Sequence, residues 1–142
     1  MSLFRLIYVS VPIETGEDVY DSIFESSRRN NGQTSVTGSL VYHDAFNMQV
    51  LEGPRKHVSD CFIRIARDNR HGNILIVAAK DVPHRLFPDW AMHRLNAKDR
   101  HSDLFARYSV NGLFEPLLLS QTAVEELCRG ISYRATADLD NA

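Results

Sequence analysis

Between two segments whose apolar residues recur at helical spacing, the chain carries two strand-like runs separated only by His43-Asp44-Ala45. Runs joined that tightly pair as an antiparallel hairpin, and a hairpin held between helices leaves few topologies open. Upstream, LFRLIYVS at 3–10 is rich in β-branched and aromatic residues and reads as a strand. A turn around Pro12 to Gly16 leads into a helix from Glu17 to about Asn30, marked by Val19, Ile23 and Phe24. NNGQTSVTG is dense in turn residues, and the hairpin strands follow at 39–43 and 46–52. Gly53-Pro54 ends the second strand and opens a helix that Val58, Phe62, Ile65 and Ala66 carry to about Asp68. NILIVAAKDV at 73–82 is almost continuously apolar, the pattern of a central strand, and DWAMHRL reads as a fifth strand.

The order is βαββαβ plus one strand. The predicted fold class is α+β: a ferredoxin-like sheet with both helices on one face and a C-terminal helical extension. Two helices leave the other sheet face bare. From about Asp99 the chain adds two helical segments; SQTAVEELCRG is the clearer, with Thr122 and Glu125 in capping-box spacing and Gly130 at its stop. Val124, Leu127 and Ile131 form one stripe, and Leu117, Leu118 and Leu119 precede it. That much apolar surface must pack on the bare sheet face or in a subunit interface. The division is 1–95 for the sheet domain and 96–142 for the extension.

A chain of 142 residues, 44% apolar, builds one core. Its formal charge of 16 − 18 = −2 supplies no basic field for nucleic acid or an anionic membrane. The N-terminal apolar run is short and broken by Arg5, so neither a signal peptide nor a membrane span is expected. Cys61 and Cys128 stand in neither metal nor redox spacing, which suits a reduced, cytoplasmic chain.

The helices' inward stripes turn polar where a core should stay apolar. Ile23, Ser27, Asn30 and Asn31 fall at i, i+4, i+7 and i+8, and Arg64, Asp68 and His71 run beside Ile65. A slot between two such helices has apolar walls and an amide-rich end. It suits a flat heteroaromatic ligand with donors and acceptors along one edge. Gln49 reaches that edge from the sheet, with Tyr8 behind it if their strands are neighbours. Buried without partners, such amides would cost roughly 1–3 kcal/mol each. Each residue alone also has a plainer use: Asn30-Asn31-Gly32 as a helix end, Arg64/Asp68 as a surface pair, Tyr8, Trp90 and Met92 as core. On residue chemistry alone, a ligand slot and a generic ferredoxin-like module stand level.

The stretches LFRLIYVS, IFESSRRNN, VTGSLVYH, MQVLEG, RIARDNRH and FPDWAM, in this order, resemble the BLUF family of blue-light sensors that use FAD. The resemblance runs from Ser2 to about Leu95, and more loosely through the extension. It implies that Ile23 and Ile65 sandwich the isoalloxazine ring, and that Asn31, with Asn30 close by, hydrogen-bonds its pyrimidine edge. Ser27, Arg64, Asp68, Arg70 and His71 then line the polar side or the phosphate exit. Gln49 bridges Tyr8 and the flavin, Met92 packs behind Gln49, and Trp90 lies near enough to sense the site. FAD is the implied cofactor, with FMN or riboflavin as alternatives.

The implied role is photochemical rather than enzymatic. A neutral phenol gives up its proton with its electron, so Tyr8 needs Gln49 in line, and Gln49 ends rotated or tautomerised. Too few residues follow Leu95 for an output enzyme, so the expected output is a separate effector protein, with a homo-oligomer as the working form. A flavin-dependent redox enzyme and a non-flavin regulatory module are the competing functions; the lack of a nicotinamide fingerprint and of a cysteine poised in the pocket counts against the former. Asn47, on the Gln49 face, departs from the aromatic or aliphatic residue usual in the family: it either offers Gln49 a competing partner that retunes the dark-state lifetime or spectrum, or sits at the sheet's edge without a role, and the second is expected.

Overall fold

The computed structural model describes residues 3–13, 16–43, 45–97 and 101–140. The elements are β1 (Leu3–Pro12), α1 (Glu17–Gly32), β2 (Thr37–Tyr42), β3 (Asn47–Gly53), α2 (Arg55–Ala66), β4 (His71–Val82), β5 (His93–Asn96), α3 (Ser102–Ala106), a 3-10 turn (Pro116–Leu118) and α4 (Gln121–Asp140). They form one five-stranded sheet in the order β4-β1-β3-β2-β5. The first four strands pair antiparallel, and β5 adds parallel to β2. This is the ferredoxin-like α+β architecture expected from the element order. The hairpin closes through the His43 N–H, which donates to the Phe46 carbonyl at 2.9 Å. Asp44 of the predicted connection, residues 14 and 15 of the predicted turn, and Asp99 at the start of the extension lie outside the described residues.

Strand alternation divides the core in two. Leu6, Tyr8, Leu40 and Leu51 face one way and pack with Val58 and Cys61 of α2 and with Ile23 and Phe24 of α1. Ile7, Val9, Val41, Met48 and Val50 face the other way and meet Leu104 and Phe105 of α3 and Val124, Leu127, Cys128 and Ile131 of α4. Residues after Leu95 thus cover the face that α1 and α2 leave bare.

Three expectations need correction. NILIVAAKDV is an edge strand, not a central one: β4 pairs with β1 alone, and Leu75 and Ile76 are 49% and 56% exposed. Continuous apolarity reads as burial on both faces, yet β1 and β3 take that position and only Ala78 of β4 is buried. Gly130 does not stop the last helix, which runs on to Asp140. A Cβ at Gly130 would come 3.0 Å from Leu104 Cδ1, so the missing side chain lets α3 approach α4. The helix start is capped by Ser120, whose Oγ accepts from the Ala123 N–H at 3.1 Å, two residues before the predicted capping box.

Candidate functional site

Two helices lying side by side over β1 and β3 leave a cleft of about 600 Å³, counting its open mouth. Ile23 of α1 and Ile65 of α2 supply apolar walls, and Tyr8, Leu40 and Gln49 line it from the sheet. The antiparallel register sets Tyr8 directly opposite Gln49. The Tyr8 hydroxyl donates to Gln49 Oε1, and Gln49 Nε2 lies 3.6 Å from Met92 Sδ. Tyr8 and Gln49 are both buried. Burial, reinforced by Cys61 and Asp68 nearby, pushes the Tyr8 hydroxyl well above its ordinary value of 10.0.

Tyr8 will therefore stay un-ionised in an alkaline titration that converts ordinary exposed tyrosines of the chain's five; near-ultraviolet absorbance counts the phenolates. The linked effect on stability is fully present below pH 10 and is lost as pH rises further, because only the unfolded chain ionises Tyr8 there. If Tyr8 titrated at its ordinary value with the fold intact, its burial would be disproved.

At the inner end, Asn31 in the last turn of α1 is tied down by both ends of its amide. Its Nδ2 donates to the Ala91 carbonyl at 2.9 Å, and Cys61 Sγ donates to its Oδ1 at 3.4 Å. The mouth carries Ser27, Asn30, Arg64, Asp68, Arg70 and His71. Asp68 Oδ1 accepts from the Arg70 backbone N–H and from Arg70 Nε, each at 2.9 Å. The Arg70 hydrogen bond holds the Asp68 carboxyl below its usual range. His71 Nε2 meets the Ile65 carbonyl at 2.8 Å, and a carbonyl only accepts, so that nitrogen carries the proton. Nδ1 then accepts from Ser10 Oγ at 2.8 Å.

His71 lines the cleft, but not from the helix that its spacing from Arg64 and Asp68 implies. Helix α2 ends at Ala66 and His71 opens β4. The Asp68 side chain bonded to the backbone two residues on forms a turn that returns the chain to the cleft. Trp90 and Met92 do not share a strand face. Both precede β5, and they point to opposite sides of the sheet. Met92 is buried with the cleft-side core. Trp90 packs among Phe87 and His93, at ring distances of 6.1 and 5.2 Å, in the core under α4.

Four lining residues, Ser26, Leu40, Asn47 and Cys61, were absent from the predicted set. Cys61 lines the cleft, and its place one helical turn before Ile65 was the available signal. Burial raises its thiol above the ordinary range, so it is not a poised nucleophile. Asn47 is not an idle edge residue, since it lines the cleft at 5% exposure.

A family model described as "Sensors of blue-light using FAD" matches residues 3–93. The chain belongs to the BLUF family. Among solved structures, the dark state of BlrB, a BLUF protein, superposes with a TM-score of 0.79 at 32% identity, covering 94% of this chain and 97% of that one. The photo-activated state of BlsA gives 0.81 at 27% identity, covering 92% and 94%. Among curated proteins, the photoactivated adenylate cyclase subunit beta of Euglena gracilis is 32% identical over 72 residues, 50% of this chain. The blue light- and temperature-regulated antirepressor BluF of Escherichia coli is 34% identical over 77 residues, 51% of this chain. The chain spans only 8% of the former and 19% of the latter. BLUF chains are flavin-based blue-light sensors, and this fold is theirs. Among the described residues, no helix is long and apolar enough to cross a membrane.

Proposed function

We propose that this chain binds FAD in the cleft between α1 and α2 and reports blue light through Tyr8 and Gln49 to a separate effector protein, without being an enzyme itself. The observation that carries this reading is the Tyr8–Gln49 hydrogen bond at the inner surface of a cleft with opposed isoleucine walls. Apolar walls with a few polar groups gathered along one side are the make-up of a small-molecule site. In this reading Ile23 and Ile65 clasp the ring, and Asn31, Asn30 and Ser27 take its polar edge. Arg64 and Arg70 suit the phosphates that distinguish FAD and FMN from riboflavin, with Asp68 orienting Arg70 and His71 lining the polar side.

When bound, the flavin supplies the chromophore and, once excited, a strong oxidant. Everything else falls to the protein. Burial keeps the Tyr8 phenol neutral, so its proton must leave with its electron, and Gln49 Oε1 already accepts that hydrogen. In the starting arrangement Gln49 Nε2 has the Met92 thioether as its neighbour, a weak acceptor that holds it loosely. A change at Gln49 therefore reaches Met92, and Asn31 ties the cleft to the adjoining Ala91. The 90–92 segment is the route outward, because Trp90 lies against the core shared with α4.

We read 1–95 as the sensing unit and 96–142 as the extension that passes the change on. Self-association finds support in Leu75 and Ile76, exposed along the open edge of β4. A cytoplasmic location suits two buried, unbridged cysteines. The test is an absorption spectrum before and after blue light, with the released flavin identified. FAD and a small red shift that reverts in the dark, without net flavin reduction, are expected. Protein that takes up no flavin sinks the reading, and a flavin that stays reduced redirects it to redox catalysis.

A further inference from the structure

The thiol in the cleft has a partner from the opposite helix. Cys61 Sγ donates to Asn31 Oδ1 at 3.4 Å, which joins α2 to the last turn of α1 across the inner end of the cleft. Both side chains line that cleft, at 3% and 1% exposure. The other end of the Asn31 amide is held from a third place, because Nδ2 donates to the carbonyl of Ala91 on the approach to β5. A carboxamide has two hydrogens on nitrogen and two lone pairs on oxygen. One of each is taken here, and one of each is left. A carbonyl only accepts, so Ala91 settles which end of the amide is the nitrogen. A single bond still lets the amide plane swing, and a second at the oxygen stops it.

We infer that Cys61 is a positioning residue for the ligand: its thiol fixes the plane of the Asn31 amide, so that the remaining N–H and the remaining lone pair meet a ring edge where a carbonyl adjoins an N–H. The pyrimidine edge of a flavin is such an edge, so the inference rests on the flavin reading and deepens it. The donor must be a protonated thiol. Burial raises the Cys61 thiol above its ordinary value, and the Arg64 guanidinium, which acts the other way, does not undo this. The proton stays on sulfur at neutral pH. A thiol is also a weak donor, and a weakly engaged Oδ1 keeps its strength as an acceptor for the ligand's N–H. The unreactive cysteine of the cleft thereby has a use that needs no nucleophile.

The bond is visible without any ligand. In apoprotein, the S–H stretching band that Cys61→Val lacks belongs to Cys61, and it should move to higher frequency in Asn31→Ala, where the thiol has lost its acceptor. Cys61→Val keeps an apolar wall and removes the donor, whereas Cys61→Ser still donates. The dissociation constant of FAD should rise about fivefold in Cys61→Val, the weight of one neutral hydrogen bond, and stay within about twofold of the parent in Cys61→Ser. The carbonyl stretching bands of bound flavin should shift in Cys61→Val and return in Cys61→Ser. Lost packing alone would not be restored by serine, which is the smaller and more polar of the two. An S–H band at one frequency in parent and Asn31→Ala, a Cys61→Val protein that binds FAD as the parent does, or a Cys61→Ser protein no better than Cys61→Val would overturn the inference and leave the sensor reading standing. A parent apoprotein that takes up no FAD would instead remove both.

Discussion

Gln49→Leu will bind flavin and show no light-induced red shift. Leucine fills nearly the same volume, and the apolar walls at Ile23 and Ile65 are untouched, so the cleft persists. What disappears is the acceptor facing the Tyr8 hydroxyl and the amide facing Met92. The Tyr8 proton then has no protein atom in line to receive it, and nothing reorients. Tyr8→Phe should abolish the normal shift by removing the other half of the pair. Difference spectra of the two variants, each loaded with FAD, are the measurement. A Gln49→Leu protein that photoconverts with the parental shift would show that the relay lies elsewhere.

Glu52→Ala will cost on the order of 3–5 kcal/mol of folding stability, a large share of the roughly 5–15 kcal/mol typical of a domain. Glu52 is 0% exposed. Its carboxylate receives Arg5 Nε at 2.8 Å, the Leu86 N–H at 2.9 Å and the Phe87 N–H at 2.9 Å. Arg5 also donates to the His84 carbonyl at 3.1 Å. Removing the carboxylate strands a buried guanidinium and two backbone donors together. Leu86 in turn accepts from Ser132 of α4, so the last helix loses part of its footing on the sheet. Urea unfolding in the dark measures the loss, and a change below about 1 kcal/mol would contradict the account. Glu52→Gln should be milder, because one amide oxygen still accepts.

Periodicity made the element order legible. Apolar residues at helical spacing placed α1 and α2, a β-branched and aromatic run placed β1, and the tight connection at 43–45 placed β2 and β3. Which strand sits in the middle is a matter of partners, and composition carries no record of partners. NILIVAAKDV is as apolar as a central strand and still lies at the edge, with Ile76 standing in solvent. The cleft was legible where one helix face carried its residues, as with Ile23, Ser27, Asn30 and Asn31. It was illegible where the chain changes direction. His71 arrives through a side-chain-bonded turn at Asp68, and Trp90 and Met92 diverge in a bend that no repeat announces. Gly130 misled for a related reason: a glycine that admits a neighbouring helix looks, in one dimension, like a glycine that ends its own.

The cover that α4 lays over the second sheet face also orders events on the ribosome. Ile7 and Val9 are made more than a hundred residues before their partners Val124, Leu127 and Ile131. At roughly 5–20 residues per second, the early strand waits on the order of ten seconds for the helix that shields it. Every residue lining the cleft has been made by His71 and Met92 behind Gln49 follows, so the cleft side is complete in sequence by Leu95 while the other sheet face still lacks its helix. The emerging chain is then a substrate for chaperones at one face and a receptor for its cofactor at the other.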